Sequence, residues 1–464
     1  MSTPTDSGEV TSRINVSEEM RGTTLTARQV LILGTLSLLV LLDGMDTQML
    51  SVIAHDLTLH LDLPISEFGI VFSTGLLGGV LGALVMSPLA DRWLGRKSIA
   101  ILSMAVASVA TIVTPWVSDL TELLVVRFIA GVGLGAALPS IMTLASEFSP
   151  QRYARPITSC LVAFMPLGSF LGGMIGKLVI PDFGWQALLY VGGSLSLIFT
   201  GLALLIIPES VQFLITVKKD QRRAAKEARR LLPNLPAGLL VVDDANPKPV
   251  QKIPVIGIFA DDLWKFTLLL WVGVIFNQAI LYFALSWTPP LLQQSGLGSG
   301  SGMDAAAMFG LGGALGTAIQ GILAPRFNLF RLMFVEIALY LVAVLSLPML
   351  LGEPVLAPIA VFFIAAGICA YQAGFVLLII ETYPSDVRTT GLGWGLGVGR
   401  VGATSAPVIA GALVAAGWSA SQIFTVASLP GVATGLALLG IVLLKRGPRD
   451  KGPTVPASAK PQLG

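Results

Sequence analysis

The sequence predicts an all-α polytopic membrane protein, twelve transmembrane helices in two pseudo-symmetric six-helix bundles. Three observations predict it. Hydrophobic residues fill 54% of the 464 positions while Asp, Glu, Lys and Arg together fill 12%, about half the charged share of an ordinary soluble chain. Apolar stretches long enough to cross a hydrocarbon core about 30 Å thick recur along the chain. One long polar insert, between Glu209 and Asp262, divides them six and six.

In chain order the stretches run 30–54, 67–90, 97–116, 121–146, 156–180 and 186–207, then 264–292, 304–325, 330–350, 354–380, 389–416 and 420–444. Residues 1–28 are polar and lack the apolar core and small-residue cleavage site of a signal peptide, so they are expected to persist as a tail. The expected organisation is therefore a tail 1–28, a bundle 29–208, a linker 209–262, a bundle 263–444 and a tail 445–464. Within the linker, Lys218, Lys219, Arg222, Arg223, Lys226, Arg229 and Arg230 are spaced as on a helix, which predicts a basic helix facing solvent and lipid headgroups. The fifty glycines suit helices that pack closely. Gly391-Leu-Gly393-Trp-Gly395-Leu-Gly397 is read this way, because no strand precedes it as a nucleotide-binding turn would require.

Lys and Arg fix the orientation. Arg92, Arg96, Lys97, Arg152, Arg155, the linker run, Arg326, Arg331 and Arg388 all fall on one side if both termini are cytoplasmic, and only Lys177 falls clearly on the other. The opposite loops carry Asp56, Asp62, Glu67, Asp119, Glu122, Asp182 and Glu353. The positive-inside rule then predicts a multi-pass inner (plasma) membrane protein with both termini cytoplasmic. A net charge of +2 excludes a nucleic-acid surface, and Cys160 and Cys369 stand in separate apolar stretches, supporting neither a disulfide nor a metal cluster. No His, Cys or paired acids have catalytic or metal spacing, so neither an enzyme nor a cofactor is expected, and no obligate protein partner is implied.

The halves repeat. Glu147-Phe-Ser-Pro-Gln-Arg152 follows the fourth stretch and Glu381-Thr-Tyr-Pro-Ser-Asp-Val-Arg388 the tenth; Ser87-Pro-Leu-Ala-Asp91-Arg92 matches Gly321-Ile-Leu-Ala-Pro325-Arg326. A duplicated six-helix unit is the architecture of a transporter that rocks two halves about a midplane site.

Asp43, Asp46, Arg127 and Arg400 lie inside stretches. Asp43 and Asp46, three apart on one helical face, would each cost about 2.5–3.5 kcal/mol if exposed to lipid at mid-span, so they must face the bundle interior. There a carboxylate can take up and release a proton, although a purely structural pair is an alternative. Counting 1.5 Å per residue puts Asp43, Asp46 and Arg127 at similar heights, with Arg400 near the midplane of the other half.

Ser87-Pro-Leu-Ala-Asp91-Arg92-Trp-Leu-Gly95-Arg96-Lys97 resembles the major facilitator superfamily signature G-x-L-x-D-R-x-G-R-(R/K), with Ser87 in place of Gly and one extra residue before Gly95. Arg127-Phe-Ile-Ala-Gly131-Val-Gly133-Leu-Gly135, followed by Glu147, is similar to the superfamily's R-x-x-x-G-x-G-x-G. Asp43-Gly-Met-Asp46 in the first helix, with Gly399-Arg400-Val-Gly402, resembles the aromatic acid:H⁺ symporter family within it.

The resemblance implies import of a small aromatic carboxylate (benzoate, hydroxybenzoate, gentisate or protocatechuate type) with protons. Symport of another organic anion or a sugar is the alternative. It implies proton coupling through Asp43, Asp46, Arg127 and Glu147, and gating through Asp91, Arg92, Arg96, Lys97, Glu381 and Arg388. An aromatic carboxylate needs a cation and flat apolar walls. Arg400 is the first candidate for the cation and Arg127 the second; Phe164, Phe276, Tyr282, Trp287 and Trp394 are candidate walls, with Asn277 and Gln278 for ring hydroxyls. Drug antiport is disfavoured, since Phe164 and Ser169 stand where the antiporter motif G-x-x-x-G-P-x-x-G-G needs Gly and Pro.

Overall fold

Helices account for nearly all of the computed structural model, which describes residues 13–15, 25–231, 240–242, 255–260, 263–297, 299–384 and 387–446. Twelve of these helices are long and apolar enough to cross a membrane. The first six are α1 (Ala27–Val52), α2 (Phe68–Leu89), α3 (Arg96–Val113), α4 (Leu120–Phe148), α5 (Gln151–Phe183) and α6 (Trp185–Ile206). The second six are α7 (Leu263–Leu292), α8 (Ser299–Leu323), α9 (Leu329–Leu350), α10 (Leu356–Thr382), α11 (Arg388–Ala415) and α12 (Ala420–Arg446). Their ends lie within five residues of those expected, because hydropathy measures how long a segment stays apolar and the caps supply the stops. Thr26 and Gln29 form a capping box at the start of α1, and Asp119 and Asn328 cap α4 and α9.

An even number of spans puts the start of α1, the linker and the end of α12 on one side, called here the terminal side; the other is distal. One β element was not expected. Arg13–Asn15 pairs in parallel with Leu240–Val242, tying the N-terminal tail to the linker. Of the basic run, Arg222 to Arg230 lie on a helix, Gln221–Leu231, while Lys218 and Lys219 precede it, Lys219 with φ +52°; the helix is not solvated all round, since Ala224, Ala228 and Leu231 are buried.

Glycine sets how closely helices approach. A Cβ on Gly78 would meet the Phe128 carbonyl and Val132 amide of α4, and one on Gly131 or Gly135 would meet the α2 backbone at Gly75 or Gly79. Gly44 and Gly168 bring α1 against α5 in the same way, and Gly312 and Gly316 bring α8 against α10. Gly78→Leu should therefore lower thermal stability by roughly 1–3 kcal/mol through overpacking, measured by unfolding of purified protein. The 391–397 glycines only partly follow the expectation. Gly391 and Gly395 face Tyr383 and Ile379, but Gly393 and Gly397 face open space.

The halves meet on the distal side. There Gly69 of α2 approaches Pro407 of α11, Gly411 of α11 approaches Ser66 just before α2, and Gly173 of α5 approaches Met303 and Ala307 of α8; nearer mid-span, Gly310 of α8 approaches Pro166 and Phe170 of α5. Around this seam Ser73 Oγ donates to the Thr404 carbonyl (2.7 Å), Gln293 Nε2 to the Val52 carbonyl (3.1 Å) and Gln48 Nε2 to the Leu285 carbonyl (3.4 Å), while Lys177 Nζ pairs with Asp304 at 2.6 Å.

Candidate functional site

Between the halves lies a cavity of about 210 Å³, lined by α1, α2, α4, α5, α7 and α11. Along α2 its lining runs from Phe72 to Ala83, about 16 Å at 1.5 Å per residue, so it reaches from the distal seam toward the terminal side. Asp43, Asp46 and Arg127 come from the first half, and Arg400 and Tyr282 from the second.

Local packing explains their placement. Asp43 and Asp46 lie on the buried face of α1, with Thr47 and Leu50 completing the cavity-lining stripe at helical spacing. Thr111 Oγ1 donates to the Asp46 carboxylate, and Arg127 Nη2 donates to Thr114 Oγ1. One turn of α3 and its continuation thus orients both charges. Asp46 and Arg127 interact electrostatically, as do Asp43 and Arg400 across the cavity, but among the described residues none of these pairs closes to a direct salt bridge. Arg127 Nε is buried with no hydrogen-bond partner among the described residues. Arg400 Nη1 donates to Tyr282 Oη at 3.4 Å. Cationic valences therefore remain open beside apolar walls made by Phe72, Leu76, Leu134, Met165 and Leu285, the combination that an anion with a flat apolar body requires.

The other expected wall and hydroxyl-binding residues lie elsewhere. Trp287 is wholly buried behind the lining, its Nε1 donating to the Pro407 carbonyl (3.1 Å) and its ring meeting Phe72 edge-on at 6.2 Å. Trp394 is 45% exposed and stacks on Trp271. It stands six residues from Arg400, which at 100° per residue is a different face of α11. Phe164 is half-buried beside the cavity-lining Met165 without lining the cavity itself. Asn277 donates to Gln372 of α10, and Gln278 packs beside Gly399; both are buried outside the lining.

Glu147 also departs from its expected place. It forms an ion pair with Arg96 at the terminal end of α3, twenty residues or about 30 Å along α4 from Arg127. It belongs with the loop charges and not with the cavity. Beside it the loop signature is built around a π-helical turn, Ala90–Leu94, closed by Gly95 N–H to the Ala90 carbonyl at 3.1 Å. The wider turn accommodates the extra residue before Gly95. Gly95 then takes φ +90°, against the Glu209 carboxylate, a conformation that favours glycine. Asp91's side chain lies outside the described residues. Arg92 is exposed, and Lys97 Nζ donates to the Leu204 carbonyl at 2.8 Å. In the second half Glu381 is exposed and Arg388 Nε donates to the Tyr383 carbonyl at 3.3 Å.

Glu209, at the start of the linker, accepts the Lys97 N–H at 3.2 Å and the Ser210 N–H at 3.1 Å, joining linker to loop. Burial pushes its carboxyl above the usual carboxylate range, and these hydrogen bonds act in the opposite direction. Thr111, Thr114 and Ser286 were missed. The two threonines left a signal, a buried i,i+3 pair across the end of α3 and the turn that continues it, at the depth of Asp46.

The profile of the Major Facilitator Superfamily matches residues 36–394. A 4-hydroxybenzoate transporter, PcaK, of Acinetobacter baylyi is 32% identical, the match covering 86% of this chain and 88% of that protein. A gallate transporter of Pseudomonas putida is also 32% identical, over 93% of this chain and 95% of that one. Among solved structures, the partially occluded inward-open xylose transporter XylE of E. coli superposes with a TM-score of 0.69 at 16% identity, covering 93% of this chain and all of that one.

Proposed function

The chain belongs to the Major Facilitator Superfamily and is related to aromatic acid transporters, and from that premise we propose that it imports a small aromatic carboxylate with protons, by alternating access across a bacterial-type inner membrane. The reading is carried by one observation: two arginines and two aspartates, drawn from both halves, line one cavity with apolar walls. A sugar would bring no charge to the open donors of Arg127 and Arg400, whereas a carboxylate can accept from a guanidinium with both oxygens. The named substrates of the relatives, 4-hydroxybenzoate and gallate, have this chemistry. Benzoate, other hydroxybenzoates, gentisate and protocatechuate complete the proposed range.

The positive-inside rule assigns the terminal side to the cytoplasm. The halves are joined distally, which fits a cytoplasm-facing conformer. Coupling follows from the cross-cavity pair. With the cavity empty, Asp43 answers the charge of Arg400; a substrate carboxylate on Arg400 takes over that role, and Asp43 is then stabilised by taking a proton. Substrate and proton thus load together, and the loaded cavity carries no new net charge. Asp46, held by Thr111 against Arg127, is the alternative proton carrier. At the terminal ends, the Arg96–Glu147 pair and the charges Asp91, Arg92 and Lys97, with Glu381 and Arg388 in the second half, are proposed to make and break contacts as the halves rock.

The deciding experiment is uptake into proteoliposomes of a labelled panel of aromatic acids, a sugar and a non-aromatic organic anion, with and without an inward proton gradient. At least one aromatic acid is expected to accumulate only with the gradient. Accumulation of the sugar or the non-aromatic anion alone would defeat the substrate assignment, and gradient-independent uptake would defeat the coupling.

A further inference from the structure

A second, larger cavity of about 560 Å³ lies at the terminal end of the first half, away from the transport site. The first turn of α3 and the end of α6 form one side of it, and the linker helix Gln221–Leu231 with the segment before it forms the other. Its charged lining is unequal. Arg28, Lys97, Lys218, Arg223, Lys226 and Arg230 face three acids, Glu209, Asp220 and Glu227.

Each acid is already engaged. Glu209 accepts the Lys97 and Ser210 N–H groups. Asp220 accepts the Arg223 N–H at 3.0 Å and lies 3.5 Å from its side chain, and Glu227 takes Arg230 at 2.7 Å. Glu227 Oε2 is buried without a hydrogen-bond partner, but its charge is met by Lys97. Among the described residues, Arg28, Lys218 and Lys226 are left with no carboxylate, on a cavity carrying a surplus of three positive charges. Three cations from separate segments converging on one hollow cost repulsion that an anion removes, and phosphate, with several acceptor oxygens, can meet them together.

Position narrows the source. α3 begins and α6 ends at this height, where hydrocarbon gives way to headgroups, and Trp93, Leu94 and Leu205 stand exposed beside the cavity. We propose that this cavity is a site for a phosphate-bearing anion, either the headgroup of an anionic phospholipid or a free phosphate ester, and that its occupant fastens the linker helix to the first half. Basic pockets at this level suit headgroups, each nearby Lys or Arg strengthening the attraction by roughly a factor of five.

The test uses the purified full-length chain and an Arg28→Gln/Lys218→Gln/Lys226→Gln variant, with retained lipid read by native mass spectrometry. Wild type is expected to retain phosphatidylglycerol about a hundredfold better than the variant, with phosphatidylcholine retained equally by both. In wild type alone, so that a misfolded variant leaves the question decidable, phosphatidylglycerol should be lost at about 1 M salt, where the screening length falls to about 3 Å. A separate arm adds inorganic phosphate and glycerol 3-phosphate. If these raise the melting temperature of wild type but not of the variant, while phosphatidylglycerol shows no preference, the site takes a soluble phosphate ester. If wild type prefers neither phosphatidylglycerol to phosphatidylcholine nor phosphate to chloride, the proposal is overturned.

Discussion

Arg400→Ala is expected to weaken binding of the aromatic carboxylate by roughly thirtyfold to several thousandfold. Truncating one member of a desolvated charge pair costs about 2–5 kcal/mol, at 1.4 kcal/mol per tenfold. Two features make the effect large. Arg400 borders the cavity from the second half and, among the described residues, reaches only a phenol, Tyr282 Oη, through its guanidinium at 3.4 Å, so a bidentate partner is not already in place there. Its charge answers Asp43 in the empty cavity, so the variant also leaves that carboxylate without a cation. Arg400→Lys keeps the charge but loses the fork, and should bind more weakly than wild type and more tightly than Arg400→Ala. The corresponding aromatic amides should lose far less, because they never form the ion pair. Calorimetry on purified protein decides. If Arg400→Ala binds the acid as wild type does, Arg127, with its open Nε, holds the carboxylate instead.

Asp43→Asn is expected to abolish gradient-driven accumulation, a loss of tenfold or more in the steady-state ratio, while counterflow with substrate on both sides survives. The amide keeps the size of the side chain but takes up no proton, so Arg400 is left free to hold substrate with nothing to couple it to the gradient. Asp46→Asn should also lose accumulation. It should further impair counterflow if Asp46 serves chiefly to hold Arg127 through the Thr111–Thr114 turn. Proteoliposome assays at matched protein content separate the two aspartates. The proton role is lost if both variants still concentrate substrate when an inward proton gradient is imposed.

Depth was easier to read from the sequence than direction. Heights add at 1.5 Å per residue, so the span limits, and the common level of Asp43, Asp46 and Arg127, followed from counting. Rotation accumulates at about 100° per residue, and an error of one residue moves a side chain to another face. Tyr282 and Trp287 show the consequence on one helix: Tyr282, Leu285 and Ser286 line the cavity, while Trp287 turns to the Pro407 carbonyl of α11. Trp394 failed for the same reason. Asn277 and Gln278 were chosen by residue type at the right height, and their side chains are taken up by neighbouring helices. Glu147 was assigned by motif, and its depth, had it been counted from Arg127, already pointed to the loop. The basic cavity was not legible, because it needs segments from residue 28 to residue 230 to be brought together.

The distal seam has a further use. At Gly69, Gly411 and Gly173 the backbones of opposite halves come so near that a Cβ at each would meet main-chain atoms of the other half. Nothing there yields as a long side chain would, so a bulky residue at one of these points would act as a wedge, favouring the conformer with this side apart and leaving every cavity residue unchanged. Apparent affinity is intrinsic affinity scaled by the fraction of molecules competent to bind. A graded wedge series, Ala through Val to Phe at Gly69, would therefore vary that fraction alone. Extrapolating along the series would separate how tightly the site holds its ligand from how often the site is presented.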